Sequence, residues 1–371
     1  MANNSLADPV ADRTVWPAPE AAGVVAAVDR VLTEFLDAQA ASLARLDAAC
    51  EPMVSAARQA VLGGGKRIRP TFAYWGWRGA VGPRPEVQPV LPALAALELL
   101  HAFALVHDDI MDGSATRRGL PTAHRALAGR HTALDLAGDP HQFGTCAAIL
   151  VGDLCLVWAD RLAGHAHLPP ATLLAARRGY DQMRVEAIAG QFLDLLGESA
   201  RTWSLQRALR TARLKTASYT VVRPLIYGAA LADAAGDGPL ARAYTRYGYA
   251  VGEAFQLRDD LLGVYGDPDV TGKPVGEDLA RGKRTVLVEL ARTMSTGSRA
   301  AELRRLLDRD APQDLPRLAT LLHDIGATAR LGQMIADRIA AALSTLDDAP
   351  IDPATSEALR QLATTAAWRE S

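Results

Sequence analysis

Aromatic residues are scarce in this chain, at 5% of 371 residues. Strands favour β-branched and aromatic side chains. A hydrophobic fraction of 49%, carried by Ala, Leu and Val, points instead to packed helices. Cysteine is rarer still. Cys50, Cys146 and Cys155 form neither a metal-ligand spacing nor a disulfide framework, so a reducing, cytoplasmic setting is expected. Positive charge is not in excess: the formal net charge of −2 argues against nucleic-acid binding driven by bulk charge. The N-terminus lacks the basic and apolar regions of a signal peptide. A long uninterrupted apolar run is missing too. The longest stretch, Val90 to Val106, is interrupted by Pro92, Glu98 and His101, and it reads as a buried core helix with no transmembrane segment expected. Neither a P-loop nor a G-x-G-x-x-G fingerprint is present.

What remains is helix. From Ala21 the apolar spacing has a helical period almost throughout. Gly and Pro punctuate it at 63–65, 79–85, 113–121, 138–144, 169–170, 236–239 and 263–282. No linker splits the chain. The reading is one all-α domain over residues 21–371 behind a flexible arm at 1–20.

Chemistry concentrates in three stretches. In "HAFALVHDDIMDGSATRRG", a greasy helix ends in Asp108, Asp109 and Asp112, and Arg117 and Arg118 follow. Asp108 and Asp112 stand at i and i+4, on one helix face with Cβ atoms roughly 5–6 Å apart. Asp109 is about 100° round the helix. Paired carboxylates beside apolar surface need a counter-charge. Mg²⁺ suits them, since it typically takes one or two carboxylates, waters and substrate phosphate oxygens. The bland alternative is a solvated acidic helix end, although acids at a helix C-terminus oppose the macrodipole.

The second stretch, "FQLRDDLLGVYGDPDVTGKPVGEDLARGKRT", repeats the arrangement with Asp259 and Asp260, then Lys273, Lys283 and Arg284. Two acidic helix ends, each trailed by cations, make sense facing one another across a polyanion such as a diphosphate. The third stretch, "LGGGKRIRP", lets backbone approach an anion closely, with Lys66, Arg67 and Arg69 as cationic donors. Taken alone it would be a plain basic loop; here it suggests a second, metal-free anion pocket.

These motifs, in this order and with KT and GQFLDL between them, resemble the trans-isoprenyl diphosphate synthases over roughly residues 25 to 300. The resemblance implies an all-α bundle of the isoprenoid synthase type around a prenyl-tail cavity. It also implies a homodimer, dependence on Mg²⁺ (with Mn²⁺ as a possible substitute), and two substrates, isopentenyl diphosphate and an allylic diphosphate. Carried over by position, Asp108, Asp109 and Asp112 match the first metal motif, and Asp259 with Asp260 the second. Arg117 matches the arginine that meets the allylic diphosphate, and Arg118 its neighbour on isopentenyl diphosphate. Lys66, Arg69 and His101 resemble the rest of the isopentenyl pocket. Lys215, Thr216 and Gln256 match positions lining the reacting centre, and Lys273 a lysine on the allylic diphosphate. Gln191 and Asp194 match polar support, while His107 has no role and reads as packing.

One departure stands out. Gly263 occupies the last acidic position of the second motif, and Asp267 lies in a turn too irregular to replace it. Activity is expected to survive, because the leading aspartate carries most of the ligation. Chain length is read one turn before Asp108: bulky Phe103 with small Ala104 resembles geranylgeranyl (C20) synthases more than farnesyl (C15) ones. A class I terpene cyclase would leave "GGGKRIRP" unexplained, and a non-catalytic subunit would be expected to have lost an acidic cluster.

Overall fold

The computed structural model describes residues 19–83, 85–200, 202–266, 276–307 and 314–368. Its first half comprises α1 (Pro19–Leu46), α2 (Glu51–Leu62), α3 (Ile68–Val81), α4 (Leu91–Met111), α5 (Ala123–Ala133), α6 (Pro140–Ala163) and α7 (Pro170–Ser199). Next, α8 (Leu205–Ala212) runs without a break through a π-helical stretch, Arg213–Val222, into α9 (Arg223–Ala230). The second half holds α10 (Pro239–Tyr265), α11 (Glu277–Ala280), α12 (Val286–Met294), α13 (Gly297–Leu306), α14 (Leu315–Asp324), α15 (Ala327–Asp347) and α16 (Pro353–Trp368). The chain is all-α, as expected. Of the arm, residues 1–18 lie outside the described residues, and Pro19 and Glu20 already belong to α1.

The first core cluster packs α1, α2 and α6 around α4. Pro92 in the first turn of α4 costs no hydrogen bond there, because the leading amides of a helix have no partner within it. Ala and Leu then propagate it, and most of its length is buried on all sides. By length and composition α4 and α6 could each cross a membrane, but α4 is mostly enclosed by protein. The second cluster joins α10 to α12 and the C-terminal helices. Between them, α3 crosses α9 at a pair of glycines. A Cβ on Gly76 would strike the Leu225 carbonyl, and one on Gly228 the Ala73 carbonyl. That close approach ties the helix following "GGGK" to the helix that continues from the KT motif.

Two expected breaks are present but narrower than the sequence suggests. Gly79 sits inside α3, and Gly144 sits inside α6, where a Cβ would strike the His124 carbonyl. Both glycines serve helix packing, a use that local sequence does not distinguish from a turn. The stretch after α4 holds a feature too short for any periodicity to betray. Thr116–Arg117 pairs antiparallel with Leu120–Pro121. Arg118 and Gly119 between them both have positive φ, at 54° and 76°, as a two-residue type I′ hairpin turn requires.

Candidate active site

The end of α4 presents its carboxylates to cations drawn from the rest of the chain. Asp108 accepts from Lys215 Nζ at 3.2 Å, and Lys215 also donates to Asp194 at 2.7 Å. Lys215 comes this close because Gly190 of α7 faces its backbone, where a Cβ would overlap the Lys215 amide. Asp112, at the C-cap of α4, takes Arg281 at 2.8 Å and Lys283 at 3.0 Å. Arg117 grips the third acid: Nε donates to Asp109 Oδ1 at 2.8 Å and Nη2 to the same oxygen at 2.6 Å, and Nη2 lies 3.6 Å from Asp108. Burial pushes the Asp108 carboxyl up, but Lys215, Lys283 and Arg117 outweigh it and hold the group down to about 2. Burial likewise opposes the charge on Lys283, yet Asp278, Asp112, Asp194 and Asp108 raise its pKa above the usual lysine range.

The two halves of the chain therefore meet here. Lys283, from the loop after α11, touches Asp112 of the first motif and lies 3.5 Å from Asp278 beside the second. On α10, Asp260 is buried and turned inward. It accepts from Gln256 Nε2 at 2.9 Å and from the Val286 amide at 3.0 Å. Burial first, and then the charges of Asp278 and Asp259, push Asp260 up to about 7. Its bond to Val286 docks the N-terminus of α12 on α10, where a carboxylate suits the helix dipole. Thr216 Oγ1 donates to Gln256 Oε1 at 2.5 Å, completing a chain from the KT motif to Asp260. Where the second motif lacks its last acid, the Asp278 carboxylate has moved in: a Cβ on Gly263 would lie 3.1 Å from Asp278 Oδ2.

A second cationic zone gathers beside the glycine loop that precedes α3. Gly64 and Gly65 have φ of +98° and +129°, and the Arg118 side chain lies against both, with Nη1 donating to the Gly64 carbonyl. Arg69 stacks 4.2 Å over the Tyr219 ring and donates to Thr220 Oγ1 at 3.0 Å. His101 faces the same space. Burial first, then Arg69, Arg118, Arg117 and Arg67, push its pKa well below the ordinary histidine value, so the ring is neutral. Lys66 is exposed at the edge.

Arg67 corrects the sequence reading, which counted it among the anion's donors. It takes a left-handed conformation, φ 49°, and turns into the protein. There Nη1 donates to Glu98 at 2.8 Å and to the Val61 carbonyl at 2.9 Å, while Nε donates to Asp29 at 2.7 Å. It anchors the loop and leaves anion contact to its neighbours. Arg284 also turns away, to the Ala200 carbonyl at 3.2 Å. Gln191 reaches the Met111 sulfur at 3.6 Å. Ala104 shares the Asp108 face, while Phe103 lies about 140° round the helix from Asp108, against His107. Lys273 and Asp267 lie outside the described residues. The sequence reading passed over Arg281 and Asp278; their only signal was charge within "GEDLARGKRT".

Among the described residues no three His, Cys, Asp or Glu side chains form a metal site by themselves. Carboxylates in such a charged cluster still suit magnesium, which borrows phosphate oxygens and water to fill its shell. Asp108 and Asp112 are acids of that kind, and Asp259 is a part-buried acid on α10.

The polyprenyl synthetase family model matches residues 51–325. The geranylgeranyl diphosphate synthase of Mycobacterium tuberculosis is 36% identical over 78% of this chain and 77% of its own length. The geranylfarnesyl diphosphate synthase of Aeropyrum pernix is 35% identical over 71% and 77%. Among solved structures, geranylgeranyl pyrophosphate synthase from Corynebacterium glutamicum, complexed with isoprenyl diphosphate and magnesium, superposes with a TM-score of 0.87. It is 41% identical, with 92% of this chain and 97% of that one covered. The chain belongs to the polyprenyl synthetase family and is a prenyltransferase, a trans-prenyl diphosphate synthase.

Proposed function

We propose that this enzyme joins isopentenyl diphosphate to an allylic diphosphate in a magnesium-dependent, head-to-tail condensation whose main product is geranylgeranyl diphosphate (C20). The observation that carries the reading is the interleaving of charge at the mouth. Asp108, Asp109, Asp112 and Asp194 alternate with Lys215, Arg117, Arg281 and Lys283. Such a cluster can divide when substrate arrives, the acids turning to metal and the cations to phosphate.

Asp108, Asp112 and Asp259 would hold magnesium, which neutralises charge gathering on the departing diphosphate when bound. Lys215 and Arg117 stand ready to meet the same oxygens, and donors fixed in advance need no reorganisation as the C–O bond breaks. Thr216 and Gln256, locked to each other and to Asp260, would border the allylic carbon. The double bond of isopentenyl diphosphate, held by Lys66, Arg69, His101 and Arg118, then attacks that carbon, and loss of a proton restores an alkene. The apolar wall of α4 excludes water that would quench the cation.

The C20 assignment rests on Phe103 and Ala104, and relatives similar in sequence are named for more than one product. Exposed apolar side chains on α6 (Ile149, Leu150, Val157) and α7 (Val185, Ile188, Phe192) support a homodimer formed through these two helices. The three unpaired cysteines support a cytoplasmic setting.

The test is incubation of purified enzyme with Mg²⁺, labelled isopentenyl diphosphate and each short allylic diphosphate, followed by chromatography of the dephosphorylated products. A C20 alcohol is expected. Label retained only in isopentenyl diphosphate would overturn the condensation, and a C15 end-point would overturn the length.

A further inference from the structure

His107 stands directly before the first metal motif, yet it takes no part in the chemistry above. Its ring meets the Phe103 ring edge to face, with centroids 4.9 Å apart and planes at 88°. Its Nε2 donates to the Ile149 carbonyl of α6 at 3.1 Å and lies 3.7 Å from the Asp153 carboxylate. The ring fits because Gly152 has no side chain: a Cβ there would stand 2.6 Å from Nε2 and 2.8 Å from Cε1. A hydrogen bond, a glycine slot and an aromatic partner thus hold the imidazole on three sides.

This arrangement bears on Phe103. A phenylalanine in a helix has two χ1 wells open to it, and both direct the ring back toward the helix N-terminus. A fixed ring one turn later selects between them, because edge-to-face is a preferred geometry for an aromatic pair. We propose that His107 is a specificity-determining residue: clamped between Gly152 and the Ile149 carbonyl, it holds Phe103 in the orientation that stops chain growth. It acts through Phe103 and does not touch substrate. The inference rests on the reading that Phe103 borders the end of the tail cavity.

The experiment compares products of wild type, Phe103→Ala, His107→Ala, Gly152→Ala and the Phe103→Ala/His107→Ala double variant. Products are taken at equal, low conversion, so that the length distribution is independent of turnover. Phe103→Ala should shift the main product beyond C20. His107→Ala should raise the fraction longer than C20 several-fold. Gly152→Ala, which keeps the imidazole but displaces it, should do the same, and it carries the test if His107→Ala does not fold. The double variant should make products no longer than Phe103→Ala alone. Lengthening in Phe103→Ala with wild-type lengths in both His107→Ala and Gly152→Ala would overturn the inference and leave the Phe103 reading intact. Further lengthening in the double variant would also overturn it. Unchanged products in Phe103→Ala would remove Phe103 as the stop, and the inference with it.

Discussion

Removing the Arg67 guanidinium should damage both the fold and one substrate site, in a ratio that the geometry sets. Arg67 and Glu98 are 5% and 4% exposed and 2.8 Å apart. The pair to Asp29 is half in solvent and contributes little, under about 1 kcal/mol. In Arg67→Ala the Glu98 carboxylate stays buried without its counter-charge. Breaking a buried pair from one side costs roughly 3–5 kcal/mol. At roughly 2 °C per kcal/mol for a large domain, the melting temperature should fall by about 6–10 °C. Arg67→Ala/Glu98→Gln should recover most of that loss, because the uncompensated charge is gone. Activity should change selectively. Arg67 anchors the loop carrying Lys66 and leading to Arg69, and Glu98 stands one turn before His101. The KM for isopentenyl diphosphate should therefore rise while that for the allylic diphosphate stays near wild type. Circular dichroism melts and steady-state kinetics with each substrate varied in turn measure both effects. A wild-type melting temperature, or equal rises in the two KM values, would refute the reasoning.

Two further outcomes follow from the site. Asp108→Ala and Asp259→Ala should each lower turnover by orders of magnitude with unchanged circular dichroism, since metal-assisted charge stabilisation is worth several kcal/mol; near-wild-type turnover in both would remove the two-cluster account. His101 should make stability depend on pH. Its pKa is lowered in the fold, so below about pH 6.5 the unfolded chain takes up a proton that the folded chain refuses. The stability is fully present above that pH and declines as pH falls, and His101→Gln should flatten that part of the curve in denaturant titrations at pH 5 to 7.5.

How much of this could be read beforehand depended on whether a feature was local. The i, i+4 face of Asp108 and Asp112 follows from helical geometry, and the expected boundaries at Pro170 and Pro239 are helix starts. The second motif was legible as acidic, but not the division of labour within it. Asp260 turns to Gln256 and the Val286 amide, a contact 26 residues away. Arg67 and Arg69 look alike in sequence. One faces inward because a left-handed backbone and two distant carboxylates, Asp29 and Glu98, turn it there. The π-helical stretch around Lys215 left no trace either, since a π turn shifts the hydrogen-bond register without changing composition.

In the proposed mechanism two diphosphate sites of different kinds adjoin on α4, one metal-requiring and one metal-free. Calorimetric titration of the enzyme with isopentenyl diphosphate, and separately with a non-ionising thio analogue of the allylic diphosphate, tests it when each is run in excess EDTA and in Mg²⁺. Isopentenyl diphosphate should bind in EDTA, and Arg69→Ala should abolish that binding. The allylic analogue should bind only with Mg²⁺, and Asp108→Ala should abolish it. The same metal requirement for both ligands, or loss of both in either variant, would contradict the account.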